Sequence, residues 1–281
     1  MESANWEVQG AGIDYITLTG SSPKGMKVLK DYADAQFLHL ERLGFHVKPS
    51  APMGYQGWQV GPVFGGARQD GYMLRVSGQD AQQAYQACFC DYVHCTRLDL
   101  QLTLRSLPGL PGWAKWSAYG IDSLRSQAKP CNWARPHFHD NFGHGDTLNI
   151  GARQSDKYGR LYDKEMESLD PNYERCWRYE VEYKGDYAVS YARRLATSSN
   201  ISQDSAAIVL GQWQAWCVPT PKVSITVATP LAIDTIETDL DRKLAWLHKQ
   251  VAPTVRKLAE AGRHEDIDKW LAACYDGVIG S

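Results

Sequence analysis

The sequence predicts an α+β fold: a twisted, mostly antiparallel sheet with helices packed on one face and a helical C-terminal part. Three observations carry this. Residues 12–19, 93–104, 157–164 and 175–184 alternate apolar and polar side chains with the period of two that a half-buried strand requires. Residues 51–78 are rich in glycine and aromatics and contain Asp70-Gly71, a hairpin-turn dipeptide, ahead of a second β-type run at 72–77. From about Tyr187 onward the period changes to that of helices.

The elements follow in order. Residues 12–19 read as a strand with Ile13, Tyr15, Thr17 and Thr19 on one face and Asp14, Ile16 and Leu18 on the other. Ser21, Ser22 and Pro23 then start a helix that Gly44 ends. The glycines at 54, 57, 65, 66 and 71 fit neither nucleotide-binding fingerprint, so they mark hairpin turns rather than a phosphate loop. A short helix spans Gln79 to Ala87. In 93–104, Leu98, Leu100, Leu102 and Leu104 form a core face, and Arg97, Asp99, Gln101 and Thr103 the opposite one, which a one-sided sheet would leave in water. A helix with Trp113 and Trp116 is expected over Pro111–Gln127. Residues 128–145 read as loop, with His137 and His139 at its centre. After a short strand at 147–151 come the two polar-striped strands. Tyr158, Arg160, Tyr162 and Lys164 share a face of the first, and Arg178, Glu180, Glu182 and Lys184 a face of the second. Helices are expected at 187–197, 203–217, 237–260 and 264–275, with Pro253 kinking or splitting the third. The chain divides into a catalytic part, 1–198, and a helical part, 199–281.

Bulk properties narrow the class. With 281 residues and 43% hydrophobic content, the chain can bury a sizeable core. A net charge of −2 removes any global basic field, though a local basic face can still bind phosphate. Seven cysteines without a C-x-x-C pair fit reduced core thiols, and the cluster of Cys88, Cys90, His94 and Cys95 has poor zinc spacing. Neither a signal peptide nor an apolar run of about 18 residues is present, so the expectation is a cytoplasmic protein without a membrane span.

If the three polar-faced strands are neighbours, their faces combine into one site. Two or three carboxylates can hold Mg²⁺ or Mn²⁺, arginine and lysine can neutralise charge on a phosphate, and a tyrosine can attack phosphorus. The ordinary alternative is a solvated face stitched by cross-strand ion pairs.

Several segments, in order, resemble the replication initiation factor family of plasmid Rep proteins and filamentous-phage replication proteins. They are residues 12–19 (GIDYITLT), Gly54-Tyr-x-Gly57 with 71–78 (GYMLRVSG), Thr96-Arg-Leu-Asp-Leu-Gln101, and residues 147–155 with Arg160-Leu-Tyr-Asp-Lys164 and Glu167. Trp177-Arg-Tyr-Glu-Val-Glu-Tyr-Lys184 and Leu244-Ala-Trp-Leu247 through Gln250-Val-Ala-Pro253 complete the set. The resemblance covers about residues 10–260. It implies initiation of rolling-circle replication by nicking one origin strand, with covalent attachment to its 5′ end through tyrosine and release of a 3′ hydroxyl. Carried over, Tyr162 is the first candidate nucleophile and Tyr158 the second, with Lys164 beside them. Asp99, Glu180 and Glu182 become ligands of Mg²⁺ or Mn²⁺, and Arg97, Arg160, Arg178 and Lys184 phosphate contacts. Plasmid members often carry a further tyrosine where this chain has Met166. Origin DNA is the implied partner; a host helicase, a polymerase and a second copy of the chain are further candidates. Arg193, Arg194, Lys222, Arg242, Lys243, Arg256 and Lys257 are candidate DNA-backbone contacts. Two rivals remain: a non-catalytic origin-binding protein on the same fold, and a nuclease whose metal is held by His137 and His139.

Overall fold

The strictest alternation in the chain forms the centre of the sheet. Strand β6 (His94–Ser106) pairs on one side with β1 (Trp6–Gly20) and on the other with β10 (Cys176–Lys184). Beyond β1 lie β5 (Gly71–Ser77), β4 (Val63–Arg68), β3 (Gln56–Val60) and the edge strand β2 (Val47–Ser50). Beyond β10 lie β9 (Lys157–Asp163), β8 (Thr147–Ile150) and the other edge strand, β7 (Pro136–His139). Every pairing is antiparallel. The computed structural model describes residues 6–106, 136–139, 147–216, 218, 220–221, 223–232, 244, 247–248 and 251–279. The helix expected at Pro111–Gln127 lies outside them.

The leucine face of β6 is fully buried, as are Tyr179, Val181 and Tyr183 beside it on β10. Four helices share this core: α1 (Pro23–Arg42), α2 (Asp80–Cys88), α4 (Gly185–Ala196) and α5 (Ile201–Ala215). The short α3 (Lys164–Ser168) sits at the end of β9. Ser22 caps α1 by accepting from Gly25 N at 3.1 Å, and the adjacent Pro23 fits the first helical turn. Trp213 of α5 meets Tyr179 edge-on at 5.4 Å and Trp216 at 5.5 Å, which pins α5 across β10 and β9. Cys88 and Cys95 are buried free thiols that pack in the core, and burial raises the Cys88 pKa to about 12.

Gly159, on the core side of β9, is required by this packing. A Cβ there would approach Trp216 to 2.5 Å and Trp213 to 3.0 Å. Gly159→Ala is therefore expected to cost about 1–3 kcal/mol by overpacking, seen as a lower urea midpoint at unchanged slope.

Three local differences from the sequence expectation bear on the site. First, the register on β1 moves from Ile13 opposite Leu100 to Tyr15 opposite Asp99, so Asp14 is the extra residue of a bulge. Ile13 and Ile16 both reach the core, and Asp14 leaves the apolar face to which strict alternation assigned it. Second, β9 ends at Asp163, which caps α3 by accepting from Met166 N at 3.0 Å. Lys164 is thus the first helical residue and not the last of the strand. Third, Pro136–His139, expected as loop, is an edge strand; proline is tolerated at its first position because an edge has one unpaired side.

The chain forms two compact units, residues 1–231 and 232–281. The second contains α6 (Ala252–Glu260), with Pro253 in its first turn, and α7 (His264–Ile279).

Candidate active site

Among the described residues, α1, α2, α4 and α5 share the core face of the sheet, and the polar faces of β1, β6, β10, β9 and β8 lie side by side opposite them. Pairing aligns their side chains in lateral rows. Thr103 faces Arg178, Arg178 faces Tyr162, and Tyr162 faces Thr147. The next row is Gln101, Glu180, Arg160 and Asn149, and the next Tyr15, Asp99, Glu182 and Tyr158. The candidate residues of the three polar stripes are therefore brought together, with Lys164 at the rim.

At the centre, Tyr162 donates its phenolic proton to Glu180 Oε1 at 2.5 Å, and Arg160 Nη2 lies 2.5 Å from Glu180 Oε2. Arg97 grips Asp99 in a bidentate pair at 2.8 and 2.6 Å and reaches Glu182 at 2.8 Å. Lys184 holds the other oxygen of Glu182 at 2.6 Å. Arg178 donates to Thr103 Oγ1 at 3.0 Å and lies 3.5 Å from Asp14 Oδ1. Four carboxylates thus face four cations on one patch. Tyr158 stands apart: it is 6% exposed and donates to Asn149 Oδ1 at 2.7 Å. Lys164 pairs with Glu167 at 2.5 Å, and its ammonium lies 5.9 Å from the Tyr162 ring and 5.3 Å from that of Tyr173.

Asp99, Glu180 and Glu182 are more deeply buried than the cations that pair with them, Arg97, Arg160 and Lys184. Asp99 is 3% and Glu180 4% exposed, against the solvated position expected for Asp99. Burial pushes the Asp99 carboxyl up to about 6; Arg97 opposes the shift and Glu182 and Glu180 add to it. Burial also raises Glu180, with Arg160 opposing. Tyr162 is held protonated by burial first and by the Glu180 charge second. Its phenol therefore depends on an adjacent acceptor to lose a proton, and Glu180 Oε1 is that acceptor.

Among the described residues, no three histidine, cysteine or carboxylate side chains converge closely enough to hold a metal ion. Asp99, Glu180 and Glu182 are adjacent, but their charges are met by Arg97, Arg160 and Lys184. The donor set is nonetheless oxygen-only, which is the chemistry of Mg²⁺ and Mn²⁺. On edge strand β7, His137 pairs with Asn149 and His139 with Thr147, register positions that extend the rows containing Glu180 and Tyr162.

Asp14 was missed by strand alternation. Its signal is the three-residue spacing of Ile13 and Ile16, where an unbroken strand spaces core residues by two. Tyr173 was also missed: it lies in a short turn after α3, with the Arg178 guanidinium 5.6 Å from its ring.

The model of a family described as replication initiation factor matches residues 121–273, which takes in β7 to β10 and all of the tyrosine candidates, while Arg97 and Asp99 precede it. A solved structure described as a rolling circle replication initiator protein from Geobacillus stearothermophilus matches with a TM-score of 0.51. The match covers 80% of this chain and 92% of that one at 18% identity, a likeness of fold. No curated protein matches the chain.

Proposed function

The chain belongs to the replication initiation factor family, whose model matches more than half of its length, and from that premise we propose that it starts rolling-circle replication by nicking one strand of origin DNA with Tyr162. The observation that carries this is the 2.5 Å hydrogen bond from Tyr162 to Glu180 amid Arg160 and Arg178. In the proposed step Tyr162 Oη attacks the scissile phosphorus and Glu180 takes the phenolic proton. The P–O3′ bond breaks, Lys164 protonates the departing 3′ oxygen, and the 5′ phosphate remains esterified to Tyr162. Arg160, Arg178, Arg97 and Lys184 neutralise charge on the phosphates.

Asp99, Glu180 and Glu182 would hold Mg²⁺ or Mn²⁺. Their oxygen-only donor set suits a hard cation. Such an ion would polarise a phosphodiester oxygen.

The chemistry is assigned to residues 1–198 together with α5, which shares the sheet core, and the docking of origin DNA, helicase, polymerase or a second copy to the rest of 199–281. Arg256 and Lys257 are exposed on α6 and suit backbone contacts; Lys222, Arg242 and Lys243 lie outside the described residues. Among the described residues no helix is long and apolar enough to cross a membrane.

The test is a labelled single-stranded oligonucleotide carrying the replicon's origin, incubated with Mg²⁺ or Mn²⁺, followed by peptide mapping of any denaturant-resistant adduct. An adduct on Tyr162 is expected. The complete ion pairing of the patch favours one alternative, a non-catalytic origin-binding protein. Tight origin binding without an adduct in either metal, and with Asp99→Ala tolerated, would establish it.

A further inference from the structure

The sheet face that carries Tyr162 continues, beyond β1, onto the β5–β4–β3–β2 wing. Pairing sets Arg97, Thr17, Arg75, Phe64, Gln59 and Lys48 in one lateral row from β6 to the β2 edge. At the usual interstrand spacing this row is about 24 Å long. The adjoining row holds Thr19, Met73, Gly66, Gly57 and Ser50, so two of its positions carry no side chain. Neither row contains a carboxylate.

The cations differ from those of the active site. Arg97, Arg160, Arg178 and Lys184 are each matched by an acidic group. Arg75 instead donates to the Gln59 amide oxygen at 3.2 Å, with its guanidinium 5.4 Å from the Phe64 ring centroid. Among the described residues neither Arg75 nor Lys48 makes an ion pair. Arg68, on the same face, is paired with Asp70 and lies 4.5 Å over the Tyr55 ring. Phe64, Met73 and Tyr55 form a small buried cluster beneath these cations. The wing thus presents two cations without an acidic partner, Arg75 and Lys48, in a chain whose net charge is negative.

We infer that this wing is a track for single-stranded DNA running from the nick toward the β2 edge, an inference that rests on the nickase reading for its direction. Phosphates meet Arg75 and Lys48, and unstacked bases lie against the guanidinium planes of Arg75 and Arg68. Single strands are held this way elsewhere, by stacking surfaces within a positive groove. Duplex recognition by base edges would need an element projecting into a groove; the row is formed by paired strands of the sheet.

Fluorescence anisotropy with labelled dT24, titrated across salt concentrations, tests the track. Each phosphate contact on a single strand adds about 0.7 to the slope of log affinity against log salt. Arg75→Ala and Lys48→Ala are each expected to lower that slope by about 0.7 and to weaken binding several-fold, while Arg75→Lys keeps the slope. Lys48 is exposed, so its variant bypasses any folding defect at Arg75. Lys30→Ala, on α1 at the helical side, should change nothing. Unchanged slopes in both alanine variants, an equal loss in Lys30→Ala, or no binding of dT24 by the wild type would overturn the track. The origin-oligonucleotide adduct assay reports separately: an adduct on Tyr162 with unchanged slopes sinks the track alone, and altered slopes without any adduct sink the nickase reading and leave the track.

Discussion

Tyr162→Phe is expected to abolish the covalent protein–DNA adduct and to lower origin nicking by at least about three orders of magnitude, the scale on which loss of a nucleophile acts when its neighbours remain. The substitution removes one oxygen, the donor to Glu180 Oε1, and keeps the ring. Its cost in stability should be about 1.5–3 kcal/mol, one hydrogen bond to a buried carboxylate. That is a shift of about 3–12 °C in Tm for a unit of this size, so the adduct assay is run well below the variant's own Tm. Tyr158→Phe is the matched control: its hydroxyl is buried against Asn149, and the adduct should survive. Tyr173 is the informative exception. Its ring is near both Lys164 and Arg178. An adduct that persists in Tyr162→Phe and maps to Tyr173 would keep the chemistry and reject the assignment.

The central strands were legible because each has one buried face and one polar face, and alternation reports that directly. Leu98 to Leu104 and Trp177 to Tyr183 left no ambiguity. The fusion of their polar faces into one patch was an inference from type alone, and pairing bears it out. Pattern misleads where the backbone departs from it. Asp14 changes sides because a bulge inserts one residue, and a bulge costs no apolar residue that a composition scan could notice. Lys164 leaves the strand because Asp163 is a better helix cap than a strand residue, a local competition that period-two counting ignores. The β7 strand was hidden because Pro136 and the polar residues after His139 are what an edge tolerates and a loop prefers. Burial of the charges was equally invisible: a row of Arg, Glu and Lys reads as solvated until the partners of each are known. The wing had the same defect in reverse, since Arg75 sits in a segment whose glycines drew the attention and whose charge has meaning only opposite Thr17 and Arg97.

Glu180→Ala should lower stability as well as activity. Glu180 is 4% exposed and takes both the Tyr162 hydroxyl and the Arg160 guanidinium. Removing it leaves the Tyr162 hydroxyl without its acceptor and the Arg160 guanidinium, 35% exposed, without its partner, which costs about 1–3 kcal/mol. Tm should fall by roughly 2–12 °C, more than for an exposed pair such as Lys27–Asp31, whose loss is worth under about 1 kcal/mol. Glu180→Gln separates structure from chemistry. It keeps the shape and an acceptor for Tyr162, so it should recover part of the stability, yet an amide is a poor proton acceptor and nicking should stay lost. It also tests the metal assignment through the folding equilibrium. A cation held by Asp99, Glu180 and Glu182 adds about 2.7 kcal/mol to stability at a hundred times its Kd, and Glu180→Gln should lose that increment. If Mg²⁺ and Mn²⁺ stabilise the wild type and Glu180→Gln equally, Glu180 is not a ligand, and its role reduces to positioning Tyr162 and taking its proton. If Glu180→Ala melts with the wild type, the pairing itself is wrong, because loss of a 4%-exposed carboxylate that holds both Tyr162 and Arg160 carries a cost.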